Sequence, residues 1–208
     1  MAKITPPDIC RELAAYGISA APTLCEKIQT YIDLLLLWNK MISLTTHVHP
    51  AEIMKFHFGE SLFILNSFPI TEGTLADIGS GAGFPGLALA LMSPSLQVSL
   101  IESNAKKAAF LSEVVRRLDL RNVNVLNTRM EDAKASPPLD FATVRAVAQT
   151  DELFDWVRGN LTKGGKLILW VGEAGAKRSS QIKDWVWDAP ILIPGSENRY
   201  ILAGSMKF

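Results

Sequence analysis

The chain is poor in cysteine. Only Cys10 and Cys25 occur among 208 residues. Two isolated cysteines form neither a metal-ligand pattern nor a disulfide framework, and they fit a reduced, cytoplasmic setting. Long apolar runs are missing as well. The longest, Leu34 to Trp38, lies inside an amphipathic pattern and is far too short to cross a membrane. The N-terminal Met1-Ala2-Lys3-Ile4-Thr5-Pro6-Pro7 lacks the apolar stretch of a secretory signal. There is no excess of either charge, because 21 Lys and Arg balance 21 Asp and Glu. This argues against tight, non-specific binding to free nucleic acid. The first hundred residues carry 5 Lys/Arg and 8 Asp/Glu and the rest carry 16 and 13, which leaves room for a local basic face in the second half.

What is present is a chain that is 48% hydrophobic, enough for one sizeable core with a small accessory lobe. Residues 8–68 read as helical. Cys10–Tyr16 is a short helix with Gly17 as its C′ residue. Leu24, Ile28, Tyr31, Leu35, Trp38 and Ile42 recur at helical spacing, and Leu34, Leu36 and Leu37 widen that stripe. Pro50 opens a helix over 51–68 with Ile53, His57, Ser61 and Leu65 on one face. From residue 74 strands alternate with helices. Strands are expected at Leu75–Ile78, Gln97–Ile101, Val123–Asn127, Phe141–Val147 and Lys166–Val171, with helices at Phe84–Met92 and Ala105–Leu118. Gly164-Gly165 marks the turn before the fifth strand. Ile191–Pro194 and Arg199–Ala203 read as two short antiparallel strands. The expected fold is α/β: a doubly wound, mostly parallel seven-stranded sheet over residues 71–208, with helices on both faces. Residues 1–70 form an N-terminal helical extension packed on it.

The first strand runs into Asp77-Ile78-Gly79-Ser80-Gly81-Ala82-Gly83-Phe84-Pro85-Gly86. Gly81 to Gly86 satisfies G-x-G-x-x-G, and such a turn offers bare backbone N–H groups to a ligand. Glu102 lies 21 residues past Gly81, where a ribose-binding acid belongs. Both a dinucleotide and S-adenosylmethionine (AdoMet) fit this description. Three details favour AdoMet. Asp77 is close enough to help bind an ammonium group and would be awkward beside a pyrophosphate. Pro85 supplies no N–H to a phosphate. Glu131-Asp132 follows the third strand, where a side chain could bracket an adenine.

The sequence resembles the bacterial small-subunit ribosomal RNA guanine-N7 methyltransferases, also called glucose-inhibited division protein B. The resemblance is clearest from Tyr31 to Gly172. It rests on Leu37-Trp38-Asn39-Lys40, Leu44-Thr45, His57 with Ser61-Leu62, the whole Gly79–Gly86 loop, Arg129-Met130-Glu131 and Val144-Arg145-Ala146. It implies the AdoMet-dependent methyltransferase fold. It also implies AdoMet contacts at Gly79, Phe84, Met130, Glu131 and Arg145, which join Asp77, Gly81, Gly83 and Glu102 from the loop reading. The substrate it implies is small-subunit ribosomal RNA, within a ribosomal particle or assembly intermediate. No obligate protein partner is indicated. The chain departs from the family at Val144, Val171, Phe56 and Glu60, where Ser, Lys, Arg and Asp are common.

Methyl transfer from a sulfonium is a direct displacement, and guanine N7 already exposes a lone pair, so no strong general base is needed. Neither cysteine lies near the loop, which disfavours thiolate chemistry on pyrimidine carbon. There is no Asn/Asp-Pro-Pro-aromatic stretch for an exocyclic amine. Arg145, at the end of a buried strand, reads as a ligand to the AdoMet carboxylate or a nucleic-acid group, or as the partner of a nearby acid. Lys106, Lys107, Arg129 and Arg199 are the candidate RNA contacts, set against the plainer reading of solvated charge. His57 reads as a core histidine. His47 and His49 lack a third ligand for a metal site. The tryptophans at 156, 170, 185 and 187 read mainly as packing residues. Rival functions are methyl transfer to another RNA or a small molecule, hydride transfer with a dinucleotide, and non-catalytic ribosome binding.

Overall fold

The computed structural model describes residues 4–146, 150–179 and 181–207. Val147, the end of the expected fourth strand, lies outside the described residues. Helix α1 (Pro6–Ala15) begins earlier than its apolar pattern, because Thr5 and Asp8 form a reciprocal capping box and Pro6 occupies the first turn. Gly17, at φ 75°, closes it as expected. Helix α2 (Pro22–Trp38) packs back on α1, and this pairing brings Cys10 and Cys25 together in a disulfide with Cα atoms 5.9 Å apart. The expectation of two unpaired cysteines is therefore corrected. Their separation of 15 residues carries no pairing signal, which arises only when the two helices fold face to face.

The single helix expected over 51–68 is instead a succession of short turns. Helix α3 (Pro50–Ile53) widens into a π-helical turn at Met54–Gly59, continues as α4 (Glu60–Leu62) and tightens into a 3₁₀ turn at Phe63–Asn66. The ring of Tyr16 packs where a Cβ on Gly59 would lie. A π turn frees carbonyls from the regular ladder, and it is often found at functional sites.

Eight strands form one sheet among the described residues: β1 (Glu72–Ile78), β2 (Ser95–Ile101), β3 (Val123–Leu126), β4 (Leu139–Arg145), β5 (Leu161–Gly172), β6 (Trp185–Trp187), β7 (Ile191–Leu192) and β8 (Arg199–Met206). The order is β3-β2-β1-β4-β5-β8-β6, and β7 also pairs with β8. Strands β1 to β5 run parallel and β8 is antiparallel to β5, β6 and β7. The fold is the α/β class expected. The strand beyond the seven expected is β6, Trp185-Val186-Trp187, too short to announce itself in the sequence. Strand β5 also begins before Gly164-Gly165, and a register shift against β4 absorbs that glycine pair as a bulge.

Helix α5 (Gly86–Met92) follows β1 and α6 (Ala105–Arg117) follows β2. Their apolar faces join α1, α2 and residues 53–70 in one cluster on one face of the sheet, with Leu75, Val98, Leu100, Ile168 and Ile201. The opposite face carries Ala76, Ile78, Ala142, Val144, Leu169 and Leu202, covered by α7 (Asp151–Asn160) and Trp185. Helix α8 (Glu173–Ser179) follows β5. Between β3 and β4, however, there is only a single 3₁₀ turn, Met130–Asp132. Strand order reverses direction between β1 and β4, so a crevice opens at their carboxyl ends.

Candidate active site

The register sets Ile78, Ile101 and Val144 side by side, so the ends of β1, β2 and β4 meet at this crevice. The loop after β1 crosses it. The N–H groups of Gly79 and Ser80 both donate to the Ile101 carbonyl, at 2.9 and 3.1 Å. Three of the loop glycines do three different things. Gly81, at φ 56°, faces open space: a Cβ there would find no protein atom nearer than the Gly79 carbonyl oxygen at 3.7 Å. Gly83, at φ 91°, is crowded, since a Cβ would overlap the Tyr31 hydroxyl and approach Leu87. At Gly86 a Cβ would lie 2.7 Å from Asp77. The open glycine is the one beside which a ligand fits.

Glu102, at the tip of β2, accepts from Gly81 N through Oε2 and from Asn104 N through Oε1, each at 2.8 Å. It ties the loop to the start of α6. Each carboxylate oxygen keeps a second lone pair for a ligand hydroxyl. Asp77 is buried. Its Oδ1 accepts from Thr143 Oγ1 at 2.8 Å and its Oδ2 from Gly86 N at 3.2 Å, at the first turn of α5. Burial raises its pKa to about 6, against the lowering effect of those hydrogen bonds. Both its oxygens are already engaged by the protein.

Beside Gly79 is a hollow of about 420 Å³. Ile78, Ile101, Met130 and Leu153 give it apolar walls, and Arg129 and Glu131 stand on its rim. The structure thus brings together Gly79, Arg129, Met130 and Glu131 around one cavity, with Gly81 and Glu102 adjoining it. Phe84 and Arg145 turn elsewhere. Phe84 is buried and stacks on Tyr31, with centroids 5.3 Å apart, and on His57, at 4.8 Å. Tyr31 also donates its hydroxyl to the Ala82 carbonyl. The loop is therefore braced by α2, a role invisible in the apolar stripe that contains Tyr31.

His57 shares a 2.7 Å hydrogen bond with Thr45 Oγ1, and its Nδ1 is buried without a partner among the described residues. Burial, with Arg145 and His47 nearby, lowers its pKa to about 3, so the ring is neutral. Asn39 holds Thr45 in place: its Oδ1 accepts from Leu44 N and Thr45 N, and its amide donates to the Thr45 carbonyl. Asn39, Thr45, His57 and Phe84 thus form one connected chain of contacts.

Arg145 leaves the end of β4 for the π-helical turn. It donates to the Phe56 carbonyl, to Ser61 Oγ at 3.2 Å and to Glu60 Oε2 at 3.2 Å. Glu60 is buried, and its Oε1 lies 2.9 Å from Arg199 Nη1, at ion-pair distance without hydrogen-bond alignment. Burial raises the Glu60 pKa while Arg145 and Arg199 pull it down. Arg199 also lies over the Phe56 ring, 4.9 Å from its centroid. Lys106 and Lys107 sit at the first turn of α6, where Asn104 caps their N–H groups. Arg199 is on β8, four strands from β2, or roughly 20 Å at about 4.8 Å per strand. The four basic candidates therefore occupy three places: Lys106 and Lys107 at the start of α6, Arg129 at the hollow and Arg199 beside Glu60.

Solved structures share this architecture. A SAM-dependent methyltransferase from Aquifex aeolicus superposes with a TM-score of 0.61 at 15% identity, covering 75% of this chain and 93% of that one. An rRNA methylase from Streptococcus thermophilus gives 0.52 at 15%, covering 65% and 87%. The fold is that of the AdoMet-dependent methyltransferases. More narrowly, the family model for rRNA small subunit methyltransferase G matches residues 24–185, and the chain belongs to that family. Proteins of that name are 44% identical over 66% of this chain in Xylella fastidiosa, 36% over 89% in Roseiflexus castenholzii and 30% over 95% in Leuconostoc mesenteroides. The matched part spans 61% of the Xylella protein, 78% of the Roseiflexus protein and 89% of the Leuconostoc protein.

Proposed function

We propose that this protein transfers the methyl group of AdoMet to N7 of a guanine in small-subunit ribosomal RNA. The observation that carries the cofactor is the open side of Gly81, flanked by the Glu102 carboxylate and by the hollow lined with Met130 and Ile101. These residues fit AdoMet. Glu102 has lone pairs for ribose hydroxyls, the apolar walls suit adenine, and Glu131 stands at the rim. When bound, AdoMet supplies an electrophilic methyl group. The protein's part is to bind, orient and exclude water.

The side chains beside the loop support an acceptor that needs no deprotonation. Asp77 is buried and capped at both oxygens, and His57 is neutral with Nε2 committed to Thr45. A ring nitrogen with its own lone pair needs neither as a base. Arg145, Glu60 and Phe84 act by positioning: they fasten residues 54–61 and the glycine loop to the end of β4. In this reading Lys106, Lys107, Arg129 and Arg199 are the residues that meet RNA phosphates. Because net charge is zero, shape and additional contacts on a ribosomal particle or assembly intermediate would favour it over a short free hairpin, in the cytoplasm where such particles form.

The test is tritiated methyl transfer from AdoMet to small subunits, deproteinised small-subunit RNA and a short hairpin, followed by nucleoside mass spectrometry. The expected product is 7-methylguanosine, with most incorporation into particles. A methylated pyrimidine or exocyclic amine overturns the acceptor. Saturable NAD binding without AdoMet binding overturns the cofactor.

A further inference from the structure

The missing helix between β3 and β4 leaves a mark on the sheet. Parallel strands are ordinarily buried on both faces and read as continuous apolar runs. Strand β2 does not: Leu96, Val98 and Leu100 are buried, while Gln97 is exposed and Ser99 half-buried. In β3, Val123 and Val125 pack on the core, and Asn124 is exposed. Gln97, Ser99 and Asn124 line a groove of about 430 Å³ on the bare face. An apolar helix would leave these groups unsatisfied, so the face suits a polar occupant.

The charge of the groove is one-sided. Among the described residues that line it, Arg121 and Lys134 are charged and none is a carboxylate. Its far wall is Trp156, whose Nε1 donates to the Ala133 carbonyl at 2.8 Å, which fixes the ring. The groove is also not closed. It shares Gln97, Arg121 and Asn122 with a second hollow at the amino edge of the sheet, where Lys27 stands. Asp119 is in that second hollow, in an exposed pair with Arg121 at 3.6 Å, which holds the guanidinium only weakly. Lys134, Arg121 and Lys27 thus follow one another along two adjoining hollows, a trough whose walls are apolar and whose polar groups include these cations with Gln97, Ser99 and Asn124. A trough with spaced cations, hydrogen-bonding amides and one fixed aromatic face matches a chain of phosphates carrying bases.

We propose that this trough holds a single-stranded stretch of the substrate RNA, with phosphates at Arg121 and Lys134 and a base against Trp156. The site adjoins the hollow beside Gly79, with which it shares Ile101, and runs away from it along the bare face of the sheet. The proposal rests on the reading of the substrate as small-subunit RNA, and it adds a second place of contact.

The test uses the full chain with Arg121→Glu and Lys134→Glu together, both exposed positions, and separately Trp156→Leu. Each is assayed for binding to deproteinised small-subunit RNA across a salt series, for KM and kcat of methyl transfer, and for AdoMet affinity by calorimetry. Losing two phosphate contacts should flatten the log–log salt slope by about 2 units and weaken RNA binding roughly 10–30-fold at 0.15 M salt. KM for RNA should rise to match, with kcat and AdoMet affinity unchanged. Trp156→Leu should weaken RNA binding about fivefold or more without altering the salt slope. Unchanged RNA affinity and slope in the double variant overturn the proposal. Loss of transfer to intact particles with undiminished binding to deproteinised RNA also overturns it, in favour of a protein occupant. RNA binding that depends on Arg121 and Lys134 in a chain with no methyl transfer supports the trough and overturns the catalytic reading alone.

Discussion

Arg145 can be tested as a positioning residue by breaking its pair with Glu60 from each side. The guanidinium is 18% exposed and the carboxylate 3%, with 3.2 Å between Nη2 and Oε2. At an effective dielectric of about 20 that separation is worth roughly 5 kcal/mol of Coulomb attraction. Desolvation of the two ions offsets most of it. The pair as a whole therefore contributes little, but removing one member leaves the other buried and unmatched. Arg145→Met should cost about 3 kcal/mol, the low end of the usual 3–5, because Arg199 still faces Glu60. For a chain of this size that is a melting shift of roughly 6–12 °C. Glu60→Gln should cost less, since Arg145 keeps the Phe56 carbonyl and Ser61. Glu60→Gln with Arg145→Met should recover part of the loss, giving a coupling of about 2 kcal/mol. Urea unfolding of the four proteins at pH 7.5 measures the cycle, and AdoMet titration runs beside it. A cost under about 1 kcal/mol for Arg145→Met, no coupling, and a collapse of AdoMet affinity would make Arg145 a cofactor ligand and refute the positioning argument.

Glu102→Ala removes two charge-assisted acceptors, each worth about 1.5–3 kcal/mol, so melting temperature and AdoMet affinity should fall together, the affinity by about tenfold or more; wild-type values for both would dismiss Glu102 as a loop anchor. Gly81→Ala and Gly83→Ala share a backbone penalty of about 1–2 kcal/mol at positive φ, but only Gly83→Ala also meets Tyr31 and Leu87. Gly83→Ala should therefore be the less stable, while Gly81→Ala loses AdoMet affinity out of proportion to its melting shift, by calorimetry against thermal melts. For His57, folding holds the pKa near 3 against 6.5 in the unfolded chain, so the unfolded state binds more protons in that window and stability is lost as pH drops through it, by up to about 5 kcal/mol. Asp77 acts oppositely: near 6 when folded against 3.8, it makes the native state bind more protons, so stability rises by up to about 3 kcal/mol as pH falls from 6 to 4. His57→Asn should leave only the second trend in urea midpoints between pH 7.5 and 4.5, and parallel curves for the two proteins would contradict it.

Local features were readable in advance and distant pairings were not. The Asp77–Gly86 loop and the five parallel strands announce themselves through contiguous apolar runs and fixed glycine spacing. The 21-residue interval from Gly81 to Glu102 is set by one strand–helix–strand unit, which is why it placed the acid correctly at the loop. By contrast, Arg145 and Glu60 are 85 residues apart, and nothing in either neighbourhood names the other. The glycine spacing alone does not say which glycine is crowded: Gly83 is, because Tyr31 from a distant helix packs against it, and Gly81 is not. The disulfide and the π-helical turn depend in the same way on partners that the linear pattern does not specify. The bare face of β2 is different. Ser95-Leu96-Gln97-Val98-Ser99-Leu100 alternates with period two, which a fully covered parallel strand does not require. That signal was present in the sequence and means that one face meets water.

The contacts also explain why the helical segment and the sheet cannot be considered separately when the reaction is considered. The loop proposed to face the cofactor is shaped on one side by β1 and β2, through the Ile101 carbonyl and Glu102. On the other side it is shaped by Tyr31 and His57, which stack on Phe84. His57 is held by Thr45 and Thr45 by Asn39, while the next turn is held by Arg145 and by Trp170 Nε1, which donates to the Glu60 carbonyl at 2.8 Å. A displacement is sensitive to alignment at the scale of about 1 Å. A loop braced from both sides can supply that alignment with no acid or base of its own, and the residues near Phe84 are correspondingly buried, neutral or already paired.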